Sequence, residues 1–331
     1  MYGVPGFETS ETHEDFDFDH LTEDDALEIS DVWFNVPAEG AVRLDTERDD
    51  SFRVQTRHGD RVLKVAHPAD TSAFIDTQLR ALEHASKTDR SLPLQRIIRT
   101  PGGGLWLDLP SGRVARMLEW LPGKRLLDAQ TGASELSALG DALGRLTHSL
   151  STFDNDGDDH GETQPSAWDL QTVPRLATLL EAMPNEAVGE AIARYNARVV
   201  PRLAELPVQV IHNDFNPGNV LVDASDRHFV VGILDFGDIV RSFRVADLAV
   251  ALSYQLYPLH HNWMDVRPMI DAFEKRVPLT PVEHSLLPDL VAARFAQRIL
   301  INSWAAQREN DTYDAYESAV ATLAAILNLE A

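Results

Sequence analysis

Residues 212–219 read His212-Asn213-Asp214-Phe215-Asn216-Pro217-Gly218-Asn219, and residues 235–238 read Asp235-Phe236-Gly237-Asp238. Between them, Val220-Leu221-Val222 and Phe229 to Leu234 are β-prone, while Asp223 to Arg227 is polar and turn-forming. Two apolar runs around a polar turn predict a hairpin. A hairpin returns its ends to one place, so Asn219 and Asp235 should lie side by side. Asp214 stands five residues before Asn219. A carboxylate, an amide oxygen and a second carboxylate are thus expected on two short loops. The first can accept the proton of an attacking hydroxyl. The other two can hold Mg²⁺ against phosphates, the set that ATP-dependent phosphoryl transfer needs.

Either piece alone reads as an ordinary turn. Their order decides between a turn and a site. The step from Asp214 to Asn219 equals the catalytic-loop spacing of kinases, and Asp235-Phe236-Gly237 is the metal-binding tripeptide expected after it. Asp214 is therefore the candidate base, and Asn219 and Asp235 are the candidate metal ligands.

Upstream, residues 1–20 are acidic, without apolar periodicity, and are expected to be a disordered tail. Thr22 precedes three acids that suit the positive start of a helix running to about Phe34. Phe52 to Thr56 and Arg61 to Ala66 flank His58-Gly59-Asp60, a second hairpin, with Lys64 on its second strand. Ile75, Leu79 and Leu82 recur at helical spacing over about 71–86. Strand pieces follow over 94–120, ended by Pro122-Gly123, and beyond that the periodicity turns helical. Leu136, Leu139, Leu143, Leu146 and Leu150 form one stripe, behind Ser134 as the expected N-cap. Thr280-Pro281-Val282-Glu283 is a capping-box signal. The expected organisation is α+β and two-lobed: a small β-rich lobe over 21–121, then a larger helical lobe over 122–331 carrying one hairpin. A cleft at the join would take the ligand.

The β-rich part supplies what the catalytic segment lacks. Lys64, on a strand before a helix, is where a kinase keeps the lysine that touches the nucleotide phosphates. The helix should offer it a partner, and Gln78 and Glu83 both remain open for that role. Residues 44–53 lie where a loop would cover the phosphates. They are not glycine-rich, so backbone amides and the Ser51 hydroxyl would do the covering. Glu119 and Leu121 stand where an interlobe strand would pair an adenine edge through backbone C=O and N–H. Asp238 should face the cleft from the acceptor side, and Asp169 is a second candidate for an acceptor's ammonium, though a helix N-cap competes for both. Asp154 to Asp158 resembles a Ca²⁺ loop but has Asp159 and Pro165 where glycine and the last glutamate belong. Gly102-Gly103-Gly104 lacks the Lys of a P-loop, and His260-His261 has no acid ladder.

Composition narrows the partners. The chain has 331 residues, is 44% hydrophobic, and carries a net charge of −23. About half of that excess lies in residues 1–31, which hold eleven acids and no Lys or Arg. An acidic body disfavours nucleic acid and anionic membrane as partners and favours a cationic small molecule. There are no cysteines, which excludes disulfides and thiolate chemistry. No segment suits a membrane span or a secretory signal, so the cytoplasm is the expected compartment.

Together these residues resemble the aminoglycoside phosphotransferase and choline kinase group, which has the protein-kinase-like two-lobed fold. Glu47-Arg48-Asp49, Val62 to Ala66, Leu121-Pro122-Gly123, Trp168-Asp169-Leu170, His212 to Asn219 and Ile233 to Asp238 resemble its hydroxylysine kinase branch. That branch includes phosphotransferase domains fused to class III aminotransferases in bacteria. The similarity runs over about residues 21–327. It implies transfer of a phosphate from ATP or GTP to a hydroxyl on a small amine or amino acid, with Asp214 as base and Asn219 and Asp235 on Mg²⁺. The branch usually has Asn where Ser51 stands, whereas Gln at position 78 is not unusual in it. An aminoglycoside-type antibiotic kinase is the runner-up, and a catalytically idle nucleotide-binding regulator is the alternative of another class. The intact Lys64, Asp214, Asn219 and Asp235 favour an enzyme.

Overall fold

The computed structural model describes residues 18–46, 48–153, 166–258, 261–308 and 311–328. Residues 1–17, Glu47, Asp154 to Asp159, Pro165 and His260, for which the sequence carries expectations, lie outside them. Thr22 caps α1 (Glu23–Glu28): its hydroxyl accepts from Asp25 N at 3.2 Å while its own N–H donates to the Asp25 carboxylate at 2.7 Å. A π-turn carries the helix on to Trp33. The chain then folds back and forth through β1 (Gly40–Arg43), β2 (Asp50–Gln55) and β3 (Arg61–Val65), with Gly59 at φ 96° closing the second turn. α2 (Ser72–Thr88) follows, capped by Thr71, and then β4 (Ile97–Ile98), β5 (Leu107–Asp108) and β6 (Val114–Glu119) complete one antiparallel sheet.

Strand alternation sorts this sheet into two faces. Phe52, Val54, Leu63, Val65, Ala115 and Met117 are buried with Ala26, Ile29 and Phe34 of the first helical segment. The opposite face turns Val62 and Leu118 to the Ile75, Leu79 and Leu82 stripe of α2. Each fully buried Val, Leu, Ile, Phe or Met among them contributes roughly 1.5–3 kcal/mol. The register also places Ser51 across from Lys64 and Lys64 across from Arg116, so one polar row crosses three strands on the α2 face.

The second lobe begins with β7 (Lys124–Arg125). α3 (Ala133–Leu150), α4 (Ala177–Ala182), α5 (Glu186–Arg194), β8 (Val208–Ile211), β9 (Val220–Val222), β10 (Val230–Ile233) and β11 (Val240–Phe243) follow. It closes with α6 (Val245–Gln255), α7 (Arg267–Glu274), α8 (Pro281–Arg308) and α9 (Tyr316–Leu327). The expected hairpin is β9–β10. The lobe carries more strand than the sequence reading allowed: β7 adds to β9, and β8 pairs antiparallel with β11 from Ile211↔Val240 to Val208↔Phe243. The cap of α3 also differs. Ser134 lies in its first turn, and Gly132 is the N-cap, donating its N–H to Glu135 at 2.9 Å. The lobes meet beyond the Pro122-Gly123 join as well, where Ile233 N donates to Pro93 O at 2.9 Å. Among the described residues no helix is long and apolar enough to cross a membrane.

Candidate active site

The β8–β11 pair decides where the chemistry can occur. β8 ends one residue before His212 and β11 begins two residues after Asp238, so their ladder ties together both ends of the 212–238 segment. Besides the hairpin turn, where Phe229 is left-handed too (φ 61°), this frame holds abrupt bends at Asn213 (φ 62°) and Asp235 (φ 58°). Both are non-glycine residues in the left-handed region, where surrounding structure must hold them.

Part of that holding comes from a residue the sequence reading did not single out. Asp247, fully buried on α6, accepts from Asn213 N at 2.7 Å, His212 N at 3.3 Å and the Thr147 hydroxyl at 3.3 Å. Burial pushes its carboxyl up to about 6. An ionisable group inside the otherwise apolar run Val245 to Leu252 was the signal for it. His212 is buried too, and burial pushes its imidazole down to about 4, so it is neutral. Its Nε2 donates to Leu234 O at 3.0 Å, and its Nδ1 accepts from Asp214 N at 3.3 Å. One ring thus fastens the loop bearing Asp214 to the turn bearing Asp235.

Asp214 is partly buried. Asn216 Nδ2 donates to its Oδ1 at 2.8 Å and Asn219 Nδ2 to its Oδ2 at 2.6 Å. Burial, then the negative charge of Asp238, lifts its carboxyl to about 8; Asn216 and the buried Arg294 of α8 act against them. Asn219 spends its amide N–H groups on Asp214. Its carbonyl oxygen is the acceptor left for a cation. Asp235 accepts Lys64 Nζ at 3.1 Å and Gly237 N at 3.0 Å, and the Lys64 charge holds its carboxyl down at about 2. The β9–β10 hairpin brings the two together as expected, with Leu234 N donating to Asn219 O at 2.8 Å.

One carboxylate and one amide are hard oxygen donors, and they fit Mg²⁺, which keeps several waters and takes its remaining ligands from phosphates. Among the described residues no group of three or more His, Asp or Glu surrounds a metal position. Such an ion would be held by Asp235, Asn219 and the phosphates together.

The surroundings of Lys64 answer the question left open on α2. Neither candidate meets it. Gln78 donates through Nε2 to Gly237 O at 3.3 Å, and Glu83 pairs with Lys87 at 2.9 Å and with Arg99. Lys64 instead has Asp235 and, at 3.6 Å, Asp49. Ser51 lies on β2 across from Lys64, not on the connecting loop; it is buried, and its hydroxyl has no partner among the described residues. Glu119 ends β6, where Gln95 Nε2 already donates to its carbonyl at 3.0 Å. The Leu121 N–H has no partner among the described residues.

Asp238 lies in the turn before β11, close enough for its charge to raise Asp214. Asp169 fills the role that competed with acceptor binding. It is the buried N-cap of a 3₁₀ segment, and its oxygens accept from Gln171 N, Gln171 Nε2 and, at 2.7 Å, the Ser242 hydroxyl. Capping engages the Asp169 carboxylate, while the charge of Asp238 is the one that reaches Asp214 most strongly. Nearby, Arg294 is buried with its guanidinium over the Trp168 ring and donates to Trp168 O at 2.6 Å.

The chain and its fold are similar to those of known proteins. The chain is 26% identical over 322 residues to a hydroxylysine kinase of Mus musculus, covering 88% of this chain and 85% of that one. Two solved structures share the fold. An amicoumacin kinase in complex with AMP-PNP and Ca²⁺ has a TM-score of 0.71 at 15% identity, with 92% of this chain and 93% of that one covered. A microcompartment-associated aminopropanol kinase has a TM-score of 0.69 at 16% identity, with 92% and 95% covered. A family model spans residues 42–268, from β1 through the 212–238 segment to the start of α7, and the chain belongs to the family it describes, the phosphotransferase enzyme family.

Proposed function

We propose that this protein is a small-molecule kinase that moves the γ-phosphate of ATP or GTP to a hydroxyl on a small amine or amino acid. The observation that carries this is the convergence of Asp214, Asn219 and the Lys64–Asp235 pair around one hairpin. Asp214 accepts the acceptor's hydroxyl proton as its oxygen bonds to the γ-phosphorus and the bond to the nucleoside diphosphate breaks. Mg²⁺, held by Asp235 and Asn219, would neutralise the phosphate charge. Lys64 adds a positive charge on the same side. Asp238 gives an ammonium on the acceptor a carboxylate to replace lost water. The named acceptors of two similar proteins, hydroxylysine and aminopropanol, carry both a hydroxyl and an amine.

The test is a coupled assay of diphosphate release with ATP and with GTP. It runs against amino alcohols, hydroxy amino acids and aminoglycosides. Acceptor-dependent release that disappears in Asp214→Asn supports the reading. Nucleotide binding without turnover on any class would point to an idle regulator.

A further inference from the structure

A kinase lysine on the third strand is ordinarily steadied by an acid from the helix packed over it. Here α2 offers none, since Gln78 bonds to Gly237 and Glu83 is tied to Lys87 and Arg99. Asp235 cannot serve both Lys64 and a cation at full strength. Among the described residues, the other acid paired with Lys64 is Asp49, on the connection between β1 and β2. Its Oδ2 lies 3.6 Å from Lys64 Nζ and accepts from Arg116 Nη2 at 2.7 Å. Burial opposes ionisation of Asp49, but the charges of Arg116 and Lys64 hold its carboxyl below the usual range.

Arg116 is itself buried, and β6 places it across from Lys64. Among the described residues its second terminal nitrogen, Nη1, is buried without a partner, as is the Ser51 hydroxyl on the other side of Lys64. Lys64, Arg116, Gln78, Gln95 and Asp235 line one cavity between the sheet and α2. An arginine suits a fixed brace in such a place: its planar fork stays charged and loses less freedom per hydrogen bond than a lysine does.

We propose that Asp49 takes over the task of the missing helix acid: braced by Arg116, it holds Lys64 in position while Asp235 is engaged by the metal ion and phosphates. Asp49 is then a positioning residue, acting through Lys64. The loop that would cover the phosphates is mechanically joined to the lysine that grips them. This inference rests on the kinase reading above.

Slow hydrolysis of Mg·ATP by water tests it without knowledge of the acceptor. Asp49→Asn should lower the hydrolytic kcat roughly tenfold or more, as loss of a supporting carboxylate does elsewhere. Affinity for adenosine, which has no phosphates, should stay unchanged. Adding Asp49→Asn to Lys64→Met should slow hydrolysis no further than Lys64→Met alone. Glu83→Gln should leave the rate as it was. If the Asn variant does not fold, Asp49→Glu keeps the charge and displaces the carboxylate by one methylene; it should slow hydrolysis with adenosine affinity retained. Additive losses in the double variant overturn the proposal. So does an Asp49→Asn protein that hydrolyses at the wild-type rate or binds Mg·AMP-PNP more tightly, because Asp49 would then only fill the phosphates' place. A wild-type protein that neither binds nor hydrolyses nucleotide strikes the kinase reading itself, and this inference with it.

Discussion

Asp214 has two competing demands on its ionisation. A base must be ionised to take a proton, yet burial and Asp238 hold this carboxyl at about 8 in the ligand-free protein. Activity on free enzyme should therefore rise with pH toward that value. The sign for Asp238 follows: its anion raises Asp214, so Asp238→Asn should move the acid limb of kcat/KM to lower pH. The same change should raise acceptor KM about tenfold through loss of a charged partner while nucleotide KM holds. A pH–rate series on both proteins checks this, and an unmoved limb would detach Asp238 from the base. Asp214→Asn should reduce turnover about 10²- to 10⁴-fold with Mg·nucleotide binding retained, because the base acts on the hydroxyl and not on the nucleotide. Calorimetry beside rate measurement separates the two quantities. These residues were legible in the sequence because their spacing is set by one short hairpin. Asp49 and Arg116 were not, because their meeting depends on the register of β2, β3 and β6, which join residues 67 positions apart. Asp247 was a visible charge in an apolar run whose partners lie 34 and 35 residues away.

At the scale of elements, close approach of helices is what a lost or gained methyl tests. A Cβ on Gly140 of α3 would stand 2.0 Å from the Met269 carbonyl oxygen on α7, a backbone atom that cannot swing aside. Gly140→Ala should destabilise by about 1–3 kcal/mol, the range for overpacking. Gly189, inside α5, has only Leu180 Cδ2 at 3.7 Å, an ordinary contact. Gly189→Ala should stabilise by about 0.5–1 kcal/mol through helix propensity alone. Urea unfolding of the two variants gives opposite signs if the helix packing is as described; equal signs would contradict it. Helices with long apolar stripes, α2 and α3, were readable from periodicity, as was the capping box of α8, where Thr280 N donates to Glu283 at 2.8 Å. The pair β8–β11 escaped because each strand is four residues long and its partner is 29 or more residues away. The N-cap of α3 escaped for a different reason: Gly132 caps through its backbone, which leaves no side-chain signal.

Across the whole molecule, the end of the acidic N-terminal segment is joined to the start of β2, on the face of the sheet opposite Lys64. The sequence boundary for a tail was residue 20, yet residues 18–20 make specific contacts. The Phe18 ring lies against His67 at 4.9 Å and under the Arg113 guanidinium at 4.8 Å. His20 Nδ1 is 2.9 Å from Asp50 Oδ1. Asp50 is fully buried at the start of β2, and its other partners are Arg113 at 2.7 Å, Arg43 at 2.9 Å and Leu21 N at 3.2 Å. Burial opposes its ionisation, but these hydrogen bonds, Arg113 foremost, hold its carboxyl down at about 2. Composition failed to mark residues 18–20 because their contacts use one aromatic and one histidine inside an otherwise acidic run. Residues 1–17 lack apolar periodicity, so their removal should leave melting temperature and nucleotide affinity unchanged. Removal of residues 1–20 also takes the Phe18 stack and one donor to a buried carboxylate. His20 is largely exposed, which discounts its share, and the loss should be about 1 kcal/mol, or roughly 2–4 °C in Tm. Since Asp50 follows Asp49 at the end of the β1–β2 connection and precedes Ser51 on the strand beside Lys64, the longer truncation should weaken Mg·AMP-PNP more than adenosine. Melts and calorimetry on both truncations decide the matter. Equal behaviour of the two would show that the contacts of residues 18–20 contribute nothing to the position of β2.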